Sequence, residues 1–146
     1  MVLYKIIKKR KLKEKSLRIL ILGLDSAGKT SIIKSIKGES ISDCHPTIGF
    51  HIHTLEHMGY VVHYWDVGGQ KNLRCFWRNY FEETDGIIWV VDASDEDRLK
   101  LCKEELDILL NDEKLIGATL LILANKQDLP QCLNKQQIID VCFFII

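Results

Sequence analysis

The residues with the clearest chemistry lie in the segment Gly23–Thr30, where four residues separate Gly23 from Gly28, Lys29 and Thr30. This spacing, between an apolar run and a segment of helical character, is the pattern of a phosphate-binding loop. Its glycines allow a tight turn whose backbone N–H groups face phosphate oxygens, and the N-terminus of the next helix adds a positive dipole. Lys29 supplies a cation for the terminal phosphates, and the Thr30 hydroxyl supplies a ligand for Mg²⁺. The segment therefore predicts a nucleoside phosphate site.

A second group of residues, around the predicted strand Tyr60–Trp65, suits phosphoryl transfer. Asp66 is placed to hold Mg²⁺ through water, and the Gly69 N–H can approach a γ-phosphate because no side chain blocks it. Gln70 can orient a water molecule for in-line attack. Thr47, in a polar loop, can close over the γ-phosphate and bind the metal, so the order of this loop would depend on the bound nucleotide. Together these residues predict a hydrolysable triphosphate.

The choice of base is predicted from Asn125 to Asp128, which directly follow the apolar run 118–124. The Asp128 carboxylate can accept two hydrogen bonds from guanine, from N1–H and from the exocyclic amine, whereas adenine lacks these donors in that arrangement. The stem of Lys126 can lie against the base plane, and Asn125 can brace the site. Because a base that leaves a carboxylate unpaired is strongly disfavoured, guanine is the predicted base.

These segments need a scaffold that brings the ends of several strands to one edge. Residues 71–84 are predicted to be irregular, and 39–49 to form a loop. Predicted strands cover Leu17–Leu22, Phe50–Leu55, Tyr60–Trp65, Gly86–Asp92 and 118–124, with helices over 31–37, 95–112 and 134–140 and a hairpin connection at 56–59. Strands that alternate with helices predict an α/β fold with a mostly parallel sheet and one antiparallel hairpin. Ligands in such sheets bind beyond the carboxyl ends of the strands. The phosphate loop, the segment from Asp66 to Gln70 and the segment from Asn125 to Asp128 all follow such strand ends.

The composition indicates a globular domain with no overall charge. The 20 Lys and Arg residues balance the 20 Asp and Glu residues, so charge does not indicate a nucleic acid partner. The 5 cysteines include no Cys-x-x-Cys pair, which argues against a disulfide framework or a zinc site and favours the reducing cytoplasm. No apolar run approaches the length of a membrane span.

Residues 1–15 differ from the rest in charge and pattern. Leu3, Ile6 and Ile7 fall on one side of a helix and lysines on the other, which predicts an amphipathic N-terminal helix. Such a helix can dock in an apolar groove of its own domain or bind weakly to an anionic membrane surface, and a frayed, solvated leader is the third alternative. The predicted division is this helix followed by one domain over 16–146, located in the cytoplasm with or without peripheral membrane contact.

The amino-acid sequences of these motifs resemble those of the ADP-ribosylation factor (Arf) family of the Ras-superfamily GTPases. The matching stretches are 23–30, 46–50, 65–70, 71–86 and 124–130. The resemblance implies the three-layer fold of P-loop nucleoside triphosphatases, with GDP or GTP and Mg²⁺ as ligands. It also implies a switch in which residues 39–49 and 66–82 differ between nucleotide states, the hairpin 50–65 slides in register, and the N-terminal helix is expelled. Because no internal arginine finger is evident, GTP hydrolysis is expected to be slow without an activating protein.

The residues expected to carry these roles can be stated by number. The phosphate-binding residues are Gly23, Asp25, Ser26, Ala27, Gly28, Lys29, Thr30, Ser31 and Gly69. The guanine-binding residues are Asn125, Lys126 and Asp128, the metal-binding residues are Thr30, Thr47 and Asp66 (through water), and the catalytic residue is Gln70. By resemblance, Phe50, Trp65 and Tyr80 contact effectors, although a core role for Trp65 is an equal alternative.

The family pattern continues beyond residue 140 with a sixth strand, a loop that touches guanine and a last helix, so the sequence predicts a domain that is incomplete at its C-terminus. Two hypotheses follow. The first is an active GTPase switch with effectors, an exchange factor and an activating protein, in trafficking or tubulin folding. The second is a fragment with weak or no nucleotide binding that acts only as an interaction module.

Overall fold

The structure, a computed structural model, describes residues 15–142, with the side chain of residue 142 excluded. Apart from Lys15, the predicted N-terminal helix lies outside the described residues. The strands are β1 (Ser16–Leu22), β2 (Phe50–His57), β3 (Tyr60–Val67), β4 (Gly86–Asp92) and β5 (Thr119–Asn125). The helices are α1 (Lys29–Ile36), α2 (Leu99–Leu110) and α3 (Lys135–Cys142), and short 3₁₀ helices cover Arg74–Tyr80, Glu96–Arg98 and Glu113–Leu115.

The strands form one sheet in the order β2-β3-β1-β4-β5. β1 pairs in parallel with β3 and with β4, β4 pairs in parallel with β5, and β2 pairs antiparallel with β3. The predicted α/β fold, mostly parallel with one antiparallel hairpin, is confirmed. The segments after β1, β3 and β5 meet at the carboxyl edge of the sheet, which is where parallel α/β sheets bind ligands.

The two central strands are buried on both faces, which explains their continuous apolar sequences. Ile21 of β1 and Val90 of β4 pack with Ile33 of α1 on one face. Leu20 and Leu22 belong to the larger cluster on the other face, which includes apolar residues of α2 and α3. This arrangement gives the three layers expected of the fold. No helix within residues 15–142 is long and apolar enough to cross a membrane.

The hairpin is tighter than its sequence predicts. Pairing continues to His57 opposite Tyr60, so that the connection is the two residues Met58 and Gly59 rather than 56–59. Both have positive φ, 50° and 77°, as a two-residue hairpin turn requires.

Two other segments also differ from the prediction. Residues 71–84 are not wholly irregular, because Arg74–Tyr80 forms a 3₁₀ helix in which the Trp77 side chain is buried. The helix predicted over 95–112 is an α-helix only over Leu99–Leu110, after a 3₁₀ turn in which the Asp95 carboxylate accepts a hydrogen bond from the Arg98 N–H at 3.3 Å.

Candidate functional site

A cavity of about 430 Å³ opens at the carboxyl edge of the sheet. Its walls come from the phosphate loop and the start of α1, from the loop before β2, from the segment after β3 and from Lys126 after β5. The lining residues are Asp25, Ser26, Gly28, Lys29, Thr30, Ser31, Cys44, His45, Pro46, Thr47, Gly68, Gly69, Gln70 and Lys126. The structure thus brings most of the predicted phosphate-binding residues together with Thr47, Gly69 and Gln70.

Lys29 occupies the interior of the phosphate loop. Its side chain is buried, and its ammonium donates hydrogen bonds to the carbonyl oxygens of Gly23 at 3.0 Å and Leu24 at 2.8 Å. Burial lowers the pKa of Lys29 from 10.5 to about 8, although the charges of Asp66 and Asp25 oppose the shift. An ammonium has three N–H donors, so one remains to meet an anion in the cavity.

Three oxygen-bearing side chains converge beside Lys29. The Thr30 hydroxyl donates to Asp66 Oδ2 at 2.6 Å, the Thr47 hydroxyl donates to the same oxygen at 3.2 Å, and the two hydroxyls are 2.9 Å apart. Asp66 is completely buried, and its Oδ1 has no hydrogen-bond partner within residues 15–142. Two hydroxyls and a carboxylate with an unsatisfied oxygen are the hard oxygen donors that Mg²⁺ prefers, so these residues fit that ion.

The segment after β3 lies directly against the phosphate loop. A Cβ on Gly69 would be 2.3 Å from the Gly23 carbonyl oxygen and 2.5 Å from the Asp25 nitrogen, so only glycine allows this approach. Gln70 follows and lines the cavity. Its Oε1 is buried and has no hydrogen-bond partner in the described part of the chain, which leaves the amide available to a bound molecule.

We expect Gly69→Ala to lower the free energy of unfolding by about 1–3 kcal/mol, because the new methyl group collides with backbone rather than with a flexible side chain. Gly38→Ala is the control, since its Cβ meets nothing within 4 Å and only the positive φ of 71° opposes it. Urea unfolding of the nucleotide-free proteins measures both changes. An equal or larger loss in Gly38→Ala would contradict the steric argument.

The three residues predicted to recognise the base lie in different surroundings. Asn125 Nδ2 donates to the Ala27 carbonyl oxygen at 2.8 Å, which ties the end of β5 to the phosphate loop. Lys126 lines the cavity, and its ammonium is 2.6 Å from Asp92 Oδ2. Burial opposes the charge of Asp92, but hydrogen bonds from Lys126 and Ser94 lower its pKa overall. Asp128 is exposed and stands outside the cavity lining.

Two residues that hold the segment after β3 were missed from the sequence. Arg74 Nε donates to the Gly69 carbonyl oxygen at 2.8 Å, and Trp77 Nε1 donates to the Gly68 carbonyl oxygen at 2.9 Å. Neither spacing nor residue type signals these contacts, since each depends on the folded chain.

Phe50 of β2, Trp65 of β3 and Tyr80 at the end of the 3₁₀ helix form one aromatic cluster. The rings of Phe50 and Trp65 stack with centroids 5.2 Å apart, and the Tyr80 ring lies 5.0 Å from Phe50 and 6.0 Å from Trp65. The Arg18 guanidinium carbon lies 3.9 Å from the centre of the Trp65 ring. Phe50 is 41% exposed, whereas Trp65 and Tyr80 are partly buried and pack against the larger core cluster, so the aromatic cluster reaches the surface at Phe50.

Comparison with known proteins agrees with this architecture. A profile of the ADP-ribosylation factor family matches residues 3–142. ADP-ribosylation factor-like protein 2 of Drosophila melanogaster is 57% identical over 136 residues, which are 93% of this chain and 74% of that protein. The protein of the same name from Arabidopsis thaliana is 55% identical, with the same shares of the two chains.

A solved structure is also similar. The Arl6 BBS3 small GTPase of Trypanosoma brucei, determined with a bound nucleotide analogue, GppNp, superposes with a TM-score of 0.80 at 29% identity, and the match covers 87% of this chain and 77% of that one. The resemblance noted in the sequence is confirmed by both kinds of comparison. The chain belongs to the ADP-ribosylation factor family of small GTPases, which bind and hydrolyse GTP.

Proposed function

We propose that this chain is a nucleotide-dependent switch that binds GDP or GTP with Mg²⁺ in the cavity between the phosphate loop, Thr47 and Gln70. The observation that carries the proposal is the convergence of the Thr30 and Thr47 hydroxyls on Asp66, beside the buried Lys29 ammonium. A cation-binding set of oxygens next to a phosphate-binding loop is the arrangement that a nucleotide–magnesium complex needs.

Each residue has a role in this proposal. The N–H groups from Asp25 to Ser31 hold the phosphates, and Lys29 neutralises the terminal ones. Thr30 and Thr47 would hold Mg²⁺ by their hydroxyls and Asp66 through water. The ion supplies charge neutralisation at the phosphate oxygens when it is bound. Gln70 orients the attacking water, and Thr47 makes the closure of its loop depend on the nucleotide.

Hydrolysis by the chain alone is proposed to be slow. No arginine is among the described residues that line the cavity. Arg74 is occupied by the Gly69 carbonyl, Asp25 and Glu105, and Arg98 by Asp25 and Asp95. The positive charge that stabilises the transition state must then come from an activating protein.

The test is GTP hydrolysis under single-turnover conditions. We expect Gln70→Leu to lower the rate at least about tenfold while affinity for GTP changes little, because Gln70 acts on water rather than on the nucleotide. Gln136→Leu is the control, since Gln136 is exposed on α3 and bonds only to Asp140 among the described residues. An unchanged rate in Gln70→Leu would remove the catalytic role. Absence of thermal stabilisation of the wild-type chain by GDP or GTP with Mg²⁺ would favour the interaction-module hypothesis.

We also propose that effectors bind at the aromatic cluster of Phe50, Trp65 and Tyr80, and that an exchange factor and an activating protein act on the chain. The surface position of stacked aromatic rings supports this, because such groups dominate binding energy at protein interfaces. The proposed setting is trafficking or tubulin folding in the cytoplasm, supported by the resemblance to the family. Weak contact of the basic N-terminal segment with a membrane surface belongs to the same proposal.

A further inference from the structure

The backbone of Gly68 and Gly69 is held by partners on nearly every side. The Gly68 N–H donates to the Gly49 carbonyl oxygen at 2.9 Å, the Gly68 carbonyl accepts from Trp77 Nε1 at 2.9 Å, and the Gly69 carbonyl accepts from Arg74 Nε at 2.8 Å. The Gly69 N–H alone among these four groups has no hydrogen-bond partner within residues 15–142. Gly69 also lines the cavity, so this group is available to a ligand there.

The geometry of the peptide bond links two of these groups. The Gly68 carbonyl and the Gly69 N–H belong to the same planar trans peptide unit, in which they point in opposite directions. A donor that holds the carbonyl on one side therefore sets the direction of the N–H on the other. That donor is Trp77 Nε1.

The indole of Trp77 is itself fixed by the core. Its side chain is 3% exposed and packs edge-to-face against Trp89, with ring centroids 5.8 Å apart and an interplanar angle of 88°. Trp89 is completely buried in the central strand β4. Packing against the core thus holds the Trp77 N–H in the orientation that meets the Gly68 carbonyl.

We propose that Trp77 is a positioning residue for the γ-phosphate: its indole N–H orients the Gly68–Gly69 peptide so that the Gly69 N–H donates to that group. The inference rests on the proposed function, since it assigns the γ-phosphate to this cavity. The inference predicts different effects of Trp77 on two nucleotides, GTP and GDP, that differ only in that phosphate. Trp77 contributes to binding GTP and contributes nothing to binding GDP.

The chain provides a matched control. Trp89 Nε1 is buried but has no hydrogen-bond partner in the described residues, so Trp89→Phe removes the same atoms from the same core without removing a hydrogen bond. Trp77→Phe removes an equal volume and also the donor to Gly68. A difference between the two variants in nucleotide preference therefore reports the hydrogen bond, whereas a shared difference reports packing.

The experiment measures affinity for GDP and for the β,γ-imido analogue of GTP, both with Mg²⁺, in the wild-type chain and the two variants. We expect Trp77→Phe to lower the affinity for the analogue about tenfold relative to GDP, and Trp89→Phe to leave that ratio unchanged. An unchanged ratio in Trp77→Phe, or an equal shift in both variants, would overturn the inference. If the wild-type chain binds neither nucleotide, the proposed function fails, and this inference with it.

A second measurement needs no variant to fold. In ¹⁵N-labelled wild-type protein the indole N–H resonances of Trp77 and Trp89 are compared between the GDP and analogue complexes. When the Gly69 N–H donates to a γ-phosphate, the Gly68–Gly69 peptide becomes more polarised, and the hydrogen bond from Trp77 to the Gly68 carbonyl becomes stronger. The Trp77 indole N–H resonance should therefore differ between the two complexes, whereas that of Trp89 should not. A Trp77 resonance that is the same in both complexes would contradict the inference.

Discussion

Lys29→Met will lower the affinity for GDP at least about 10³-fold, because it removes a buried cation from the position where the phosphates bind. The ammonium lies inside the phosphate loop and donates hydrogen bonds only to the carbonyl oxygens of Gly23 and Leu24 among the described residues. Methionine fills a similar volume without charge. Fluorescence titration with a labelled GDP measures the loss.

Lys37→Met serves as the control, since Lys37 is at the exposed end of α1 and pairs with Glu39. It removes the same charge from the chain but not from the cavity, and we expect its GDP affinity to match that of the wild type. Similar losses in both variants would show that net charge, rather than the position of Lys29, determines binding.

The pKa of Lys29 adds a pH dependence to this prediction. Burial lowers that pKa to about 8, and the negative charge of a bound phosphate would raise it. Below pH 8 Lys29 is already charged, so binding requires no proton. Above pH 8 binding must restore the proton, so affinity for GDP falls with rising pH by up to about tenfold per unit. Titrations with GDP from below to above pH 8 should show this decline in affinity in the wild type and not in Lys29→Met.

Asp128→Asn will lower the affinity for GDP at least about 10²-fold and raise that for xanthosine diphosphate, because the carboxylate that accepts two hydrogen bonds from guanine becomes an amide. An amide donates from Nδ2, which suits the 2-carbonyl of xanthine and opposes the 2-amine of guanine. Competition between the two nucleotides measures the exchange of preference. Asp140→Asn, on α3, is the control.

Asp128 is exposed, so this substitution should leave the free energy of unfolding nearly unchanged. The loss of GDP binding would then reflect recognition of the base rather than damage to the fold. Unchanged GDP affinity in Asp128→Asn would remove base recognition from this motif.

The parts that the sequence predicted well are those set by local pattern. The apolar runs of β1 and β4 predict buried parallel strands because both faces of those strands are covered. The turn 23–28 between β1 and α1 also lies where the spacing of Gly23, Gly28 and Lys29 predicts it. The structure brings Thr30, Thr47 and Asp66 together, as their assignment to one ion requires.

What the sequence did not predict depends on contacts between distant residues. Arg74 donates hydrogen bonds to the carboxylates of Asp25, 49 residues away, and Glu105, 31 residues away. No pattern in the sequence of 71–84 predicts either partner. The hydrogen bond from Trp77 to Gly68 likewise requires the 3₁₀ helix to fold back over the end of β3. The short turn at Met58 was missed because the pairing of β2 with β3 overrides a sequence that permits a longer loop.

The place of β2 at the edge of the sheet has a mechanical consequence. The hairpin is attached to the rest of the sheet only through the ladder between β3 and β1, so a displacement of the hairpin would break that one ladder. Because side chains alternate along a strand, a slip of one residue would replace Asp66 with Trp65 or Val67 on the face toward α1. Any sliding of the hairpin along β1 is therefore restricted to even steps, and the smallest of these, two residues, advances the chain by about 6.6 Å.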